Sequence, residues 1–280
     1  MARAISKVFS SVLQIICTII ISVTPLVSVY PQCEYPNNAF QAGETLDYDL
    51  YFNWKFVWVK VGSTHYRISG STYKGQKALR TDLIFKSNKA CDKFFPMRDT
   101  LVSYSTDELV PLYFRKGANE GKRYTVDEVW YSYSDDGRTV MKMRYKDPDG
   151  EWSDKTETSR ECINDMLNIL ALSRSLDFSS YKVNQRTVYR MVTGKRISNQ
   201  VLVYKGKKNF EANDGRTYRC LVFSLLNDKS KSEKELLRFY ITDDKNHMPV
   251  RIDFHLNFGE AVAKFKHGSG IRNAQTAIVK

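Results

Sequence analysis

The chain has 280 residues, 42% of them hydrophobic and 13% aromatic, with 43 basic against 31 acidic side chains and a formal net charge of +12. That is ample apolar material for a large core, and a charged fraction of 26% is ordinary, which excludes wholesale disorder, a collagen-like or coiled-coil fibre and a multi-span membrane protein. Length alone leaves one large β domain or two smaller ones open.

No charged residue stands between Lys7 and Glu34, and the run Val12–Val29 is rich in Ile, Leu and Val behind the basic Arg3 and Lys7. A basic start followed by an apolar stretch predicts an export signal over residues 1–32. A retained membrane anchor is the alternative, against which Pro25 argues by interrupting a spanning helix. Cys33 invites comparison with a lipidated cysteine, although Pro31 and Gln32 before it are a poor flank for that processing. The remaining residues, 33–280, read as one basic domain with four cysteines, Cys33, Cys91, Cys162 and Cys220. In an oxidising compartment they allow two disulfides in any of three connectivities, or one bridge with two buried free thiols. Their spacing matches no zinc or redox pattern.

From Thr45 onward, short runs rich in Val, Ile, Tyr, Phe and Thr are cut about every 8 to 15 residues by turn chemistry, which is the rhythm of an all-β fold. Met141, Met143 and Tyr145 alternate with Lys142, Arg144 and Lys146; Val250–Phe258 and Ala261–Lys266 sort their faces the same way. Asp136-Gly137, Asp149-Gly150 and Asp214-Gly215 supply hairpin tips. Consecutive hairpins imply an antiparallel meander rather than a nucleotide-binding βαβ fold. One segment departs from the period of two: Ile163, Met166, Leu167 and Leu170 lie at helical offsets, predicting a helix over 162–178 that is capped by Ser159 or Asn164 and packs against the sheet.

The residues of common catalytic sites do not assemble into a motif. The four histidines, His65, His247, His255 and His267, have no paired-ligand spacing, and His65 and His255 fall on polar faces of strands. Asp135-Asp136 and Asp243-Asp244 read as turns. No phosphate loop, cofactor motif or metal-ligand pattern is visible, so the expectation is a protein that is not an enzyme and holds no cofactor or metal. The basic residues are scattered, without a recognition helix or an aromatic RNA-binding strand, which argues against nucleic acid. For an exported protein they suit an anionic envelope surface instead.

Seventeen Tyr, 15 Phe and 4 Trp form the unusual feature. Tyr48, Tyr51, Phe52, Trp54, Phe56 and Trp58 lie within eleven residues. In a strongly curved sheet such side chains can line an apolar concavity or form ordinary core. Tyr51, Trp54, Trp58 and Trp130 are the candidate ligand-binding residues.

The stretch Gly43-Glu44-Thr45-Leu46-Asp47-Tyr48-Asp49-Leu50-Tyr51-Phe52-Asn53-Trp54, then Phe56-Val57-Trp58 and Gly62, resembles the start of an uncharacterised exported bacterial family, domain of unknown function 3108. Arg98-Asp99-Thr100-Leu101, Pro111-Leu112-Tyr113-Phe114 and Asp165-Met166-Leu167 are similar to later parts of it. The resemblance implies a half-barrel like that of the lipoprotein carriers LolA and LolB, a curved antiparallel sheet wrapped around a helix and cradling acyl chains. It carries over no binding or catalytic residue.

The resulting expectation is a mostly β, LolA-like half-barrel of about thirteen strands around one main helix. It is exported to the periplasm or outer-membrane periphery of a bacterium, where it binds a lipid, a lipoprotein or another lipophilic ligand. The alternative is a module that recognises an anionic polysaccharide or a protein partner through a basic, aromatic surface.

Overall fold

The computed structural model of the chain describes residues 33–54, 57–227, 234–256 and 259–280. The predicted export segment, 1–32, lies outside the described residues, as do Lys55, Phe56, Asn257 and Phe258. In chain order the strands are β1 (Thr45–Trp54), β2 (Val57–Tyr73), β3 (Gln76–Ser87), β4 (Arg98–Ser105), β5 (Pro111–Glu120), β6 (Arg123–Tyr133), β7 (Thr139–Lys146), β8 (Trp152–Ser159), β9 (Ile163–Asn164), β10 (Arg186–Val192), β11 (Ile197–Glu211), β12 (Thr217–Asn227), β13 (Lys234–Thr242), β14 (Pro249–Leu256) and β15 (Gly259–Ser269). A short helix α1 (Lys89–Asp92) follows β3, and α2 (Met166–Ser175) follows β9.

All fifteen strands belong to one sheet, in the order β8-β7-β6-β5-β4-β3-β2-β1-β15-β14-β13-β12-β11-β10-β9. Every neighbouring pair is antiparallel except β9 with β10. The predicted hairpin tips fall where Asp-Gly pairs place them: Gly137 between β6 and β7, Gly150 between β7 and β8, and Gly215 between β11 and β12, each with positive φ. Alternation then decides the faces. Met141 and Met143 are wholly buried while Lys142 is exposed between them. Leu46, Tyr48 and Leu50 of β1 point inward against Ala263 and Phe265 of β15.

Antiparallel pairing sends the β1–β2, β3–β4, β5–β6, β7–β8, β10–β11, β12–β13 and β14–β15 connections to one end, here called the rim. The other connections lie at the opposite end, the floor. Among the described residues no ladder joins the outermost strands β8 and β9. The β10–β11 turn lies across that gap instead. Gly194 N donates to Asp127 Oδ1 at 3.0 Å, and Lys195 Nζ stands 4.7 Å from the Tyr145 ring centre. Gly194 is required there, because a Cβ would sit 2.1 Å from the Arg144 carbonyl oxygen. The sheet is thereby a nearly closed, barrel-like wall.

The helix is shorter than its sequence pattern predicts and begins later. Ile163 and Asn164 are strand, paired with Arg190 and Met191, so neither Asn164 nor Ser159 is the cap. Asp165 caps α2, accepting from Asn168 N at 2.9 Å. Leu167 joins an apolar cluster with Leu101, Phe114, Val129 and Met141, while Ile169, Ala171 and Leu172 join a larger one with Tyr48, Leu202, Phe223 and Val250. The helix thus links the two clusters of the core. Each of these leucines and isoleucines stabilises the fold by about 1.5–3 kcal/mol when fully buried.

Cys33 and Cys162 are joined by a disulfide with Cα atoms 5.4 Å apart. The other two cysteines are free, Cys220 buried and Cys91 half-buried. Of the arrangements open from the sequence, the one-bridge form is present, with one buried thiol rather than two. The bridge occupies the Cys33 sulfur that lipidation would need. Burial pushes the Cys220 thiol up to about 12, which keeps it protonated and inert.

Candidate functional site

An apolar cavity lies between α2 and the inner face of the sheet. Tyr48, Thr64, Tyr66, Leu83 and Phe85 line it from β1–β3, and Met166, Leu167, Ile169, Leu170 and Ser173 line it from the helix. Met191, Leu202, Leu225, Leu237, Phe239, Ile252, Phe254 and Ala263 complete the wall from β10–β15. Its volume is about 100 Å³. The half-buried lining residues mark its mouth. Phe85 is two residues from the rim end of β3, Phe254 two from that of β14, and Leu237 three from that of β13, while Met166 is 39% exposed. The cavity therefore opens toward the rim.

Its chemistry is uncharged. Tyr48 Oη donates to Pro249 O at 2.9 Å, Thr64 Oγ1 to Ile84 O at 3.1 Å and Ser173 Oγ to Ile169 O at 2.5 Å. Three of the four hydroxyls in the lining are thus engaged with backbone, and Tyr66 supplies the fourth. Burial pushes the Tyr66 phenol up to about 12 and raises the Tyr48 phenol well above its ordinary value, so both remain neutral. A cavity of this kind takes apolar guests: engineered cavities of roughly 150 Å³ with Leu, Ile and Phe walls stay dry and bind benzene.

The floor is closed by a buried ion pair. Arg174, in the last turn of α2, gives Glu44 a two-pronged contact, Nη1–Oε1 at 2.5 Å and Nη2–Oε2 at 3.0 Å, with both side chains wholly out of contact with water. Its Nε and Nη2 also donate to Asn246 O at 3.2 and 3.1 Å, and its guanidinium lies 4.9 Å from the Phe40 ring centre. Beside it, His247 Nδ1 donates to Arg174 O at 2.6 Å, and burial lowers the basicity of that imidazole. At the other end of the helix, Asp165 Oδ2 accepts from Ser103 Oγ at 3.1 Å, and Asn168 Nδ2 donates to Leu109 O at 2.9 Å. Burial pushes the Asp165 carboxyl up to about 7.

The four predicted ligand-binding aromatics are not brought together in this cavity. Tyr51 faces outward, its hydroxyl accepting from Asn213 Nδ2 at 3.0 Å, with Lys264 Nζ 5.4 Å from its ring centre. Trp58 pairs with Asn53 and is 44% exposed. Trp130 lies opposite Tyr113 and Lys142 on the outer face. Trp54 ends β1 opposite Val57, and its side chain lies outside the described residues. The physical reason is the strand period of two: Leu46, Tyr48 and Leu50 point inward, so Tyr51 must point out. That signal was present in the sequence. The partners on β10–β15 and the Glu44–Arg174 pair, 130 residues apart, had no local signal.

Outside, Tyr73, Tyr104, Tyr113 and Trp130 form a continuous aromatic row with ring centres 5.2–6.1 Å apart. Arg144 continues it, 5.8 Å from the Trp130 ring centre and 5.5 Å from that of Trp152. A shallow polar depression on β1, β2 and β15 holds Asp47, His65, Lys266 and His267, with His65 Nδ1 2.6 Å from Asp47 Oδ1. Both partners of that pair are more than 40% exposed, which makes it a weak surface interaction. Among the described residues no group of three or more His, Cys, Asp or Glu is placed to hold a metal, and no helix is long and apolar enough to cross a membrane.

A family model described as a protein of unknown function, DUF3108, matches residues 47–266. The chain belongs to this family. No curated protein matches it in sequence. Among solved structures, this DUF3108 chain is similar to the β-barrel-like protein of domain of unknown function DUF1849 from Brucella abortus, at 11% identity and a TM-score of 0.55, covering 84% of this chain and 100% of that one. A protein of Bacteroides fragilis with a YmcC-like fold covers 84% of this chain and 98% of its own at 10% identity, with a TM-score of 0.34, too low for an argument about fold. The DUF1849 likeness supports the barrel-like wall of the DUF3108 chain and says nothing of a ligand.

Proposed function

We propose that this protein is a non-enzymatic, exported component of a bacterial cell envelope that binds an acyl chain or a similar lipophilic group between α2 and the sheet, in the manner of the LolA and LolB carriers. The observation that carries the reading is the cavity: an uncharged, rim-facing void in which all the lining hydroxyls but that of Tyr66 are engaged with backbone, and whose walls offer a guest little but apolar contact. Such a site selects for hydrophobic surface and against charge. The uncharged N-terminal stretch and the disulfide support export to an oxidising compartment. The volume of the cavity suits one segment of a chain, with the remainder leading out past Met166 and Phe254 to the rim.

Native mass spectrometry of the protein purified from the envelope of its own cells tests this, followed by extraction and lipid analysis. The expected result is a lipophilic adduct at one per protein. Leu170→Trp, which fills the void from a half-buried position on α2, is expected to remove the adduct and to weaken uptake of a fluorescent fatty acid about tenfold or more. A bare mass that stays bare with added envelope lipids would overturn the reading.

A second reading rests on the outer face. The Tyr73–Tyr104–Tyr113–Trp130 row, continued by Arg144 and Trp152, offers flat apolar rings beside fixed cations. That arrangement suits an anionic polysaccharide, whose sugar faces stack on rings and whose acid groups meet the guanidinium.

A further inference from the structure

The rim that surrounds the cavity mouth carries exposed apolar side chains in three adjacent connections. In the β1–β2 hairpin, Val57, Trp58 and Val59 are 62%, 44% and 44% exposed. Successive strand residues point to opposite faces, so both faces of β2 stand in solvent at these three residues. In the β3–β4 connection, Phe94 is 89% and Phe95 53% exposed, and Tyr124 is exposed at the start of β6. The three connections form one surface. Asn88 N donates to Val61 O at 2.8 Å and Asn88 Nδ2 to Lys60 O at 2.7 Å, tying the β3–β4 connection to β2. On its other side Gly121 N donates to Pro96 O at 2.8 Å, and the Phe95 ring lies against Gly121.

The connection that presents Phe94 is firmly built. Asn88 caps α1 by accepting from Cys91 N at 2.9 Å, and Arg98 Nη2 meets Asp92 Oδ2 at 2.5 Å while Ser87 also donates to Asp92. A well-bonded loop that still leaves two phenylalanines in water is holding them for a partner. The surrounding charge says which partner. Lys86, Lys89, Lys93, Lys122 and Arg123 are all exposed here. Against them stand Glu120 and Asp92, and Asp92 is already held by Arg98.

We infer that this rim docks on the surface of an anionic phospholipid bilayer, with Phe94, Phe95 and Trp58 entering the headgroup region and the lysines meeting lipid phosphates. Aromatic rings are favoured at that depth, and each nearby cation adds attraction to a negative surface. Docked in this way, the cavity mouth faces the membrane, so an acyl chain could pass between the two without crossing open water. The inference goes beyond the cavity reading and does not depend on it.

The test is co-sedimentation of the protein, as processed by the cells that make it, with vesicles of phosphatidylethanolamine and phosphatidylglycerol or of phosphatidylcholine alone. Binding to the anionic vesicles is expected, and it should fall as salt shortens the screening length from about 10 Å at 0.1 M to about 3 Å at 1 M. Phe94→Ser, at a position too exposed to affect folding, is expected to raise the lipid concentration for half-binding about tenfold or more with an unchanged melting curve. Lys89→Glu with Lys93→Glu is expected to abolish the preference for anionic vesicles. Failure of the parent protein to bind either vesicle, or equal binding by Phe94→Ser, would overturn the inference. Leu170→Trp separates the two readings, because it should lose the cavity adduct and keep vesicle binding. A protein that binds vesicles but never carries an adduct retains docking and loses the cavity reading; an adduct without vesicle binding does the reverse.

Discussion

At the floor of the barrel-like sheet, Arg174 and Glu44 meet wholly out of contact with water, and Phe40, Asn246 and His247 close around them. At the rim, Phe94 stands 89% exposed on a connection that is bonded just as densely to its neighbours. The two ends therefore differ in where they put apolar surface and charge, not in how well their polar groups are satisfied. The floor removes charge from water to seal one end of the cavity. The rim keeps hydrophobic groups in water around the open end. A wall with these two ends has a direction, and the cavity mouth lies on the apolar, basic side.

The strongest way to break this contrast is at the floor. Arg174→Ala leaves Glu44 buried without its partner and is expected to cost about 3–5 kcal/mol in urea unfolding. Arg174→Met with Glu44→Leu removes both charges and should recover most of that loss, because a buried pair is worth little more than well-packed apolar groups of the same volume. If the single variant were as stable as the parent, the floor would not be the sealed end.

Between the ends, the cap of α2 supplies a pH test. The Asp165 carboxyl, normally near 3.8, is pushed up to about 7 by burial, so the native state holds its proton more tightly than the unfolded chain does. Its favourable contribution is complete below pH 4, is lost as pH rises through about 7, and is then flat. Asp165→Asn keeps the oxygen that accepts from Asn168 N and cannot titrate. Its urea midpoint should vary less than the parent's between pH 5 and 8, and at pH 8 it should be more stable by on the order of 1–3 kcal/mol. Equal pH profiles for the two proteins would show that the carboxyl is not held protonated.

The smallest expected effect is on the wall. Trp130→Ala removes one ring from the outer row and should cost about 0.5–1.5 kcal/mol of stability while leaving any cavity adduct in place. Weaker retention of this variant on an acidic polysaccharide resin would favour the second reading. Loss of the adduct instead would place Trp130 in the cavity's mechanism, against its position on the outer face.

Much of this architecture is legible along the chain. The Asp-Gly pairs mark three hairpin tips, and the alternation around Met141 and Met143 gives the buried face of β7 directly. The helix is legible from Ile163 to Leu170 but not its start, because the backbone of Ile163 and Asn164 is recruited by a strand 27 residues later in the register of Arg190 and Met191. Sequence periodicity cannot see that pairing. The aromatic cluster shows the opposite problem. Its composition suggests a cavity, while the alternation through Tyr48, Leu50 and Tyr51 sends part of it outward, and the pattern is the better guide. The lining that does form the cavity is assembled from strands at both ends of the chain, and only the curvature of the sheet brings Phe85 and Phe254 to 6.4 Å between ring centres.

The join between β8 and β9 gives the wall a property that a fully laddered barrel lacks. When every strand is hydrogen-bonded to two neighbours, girth is fixed by strand number and stagger. Here one point of the circumference is fastened by a turn laid across it, through Gly194 on Asp127 and Lys195 on the Tyr145 ring. Easing that fastening by an ångström or two breaks no rung of the sheet. The wall is a belt with a buckle, and Gly194 is where the buckle lies closest to the strands it fastens, with no room for a Cβ.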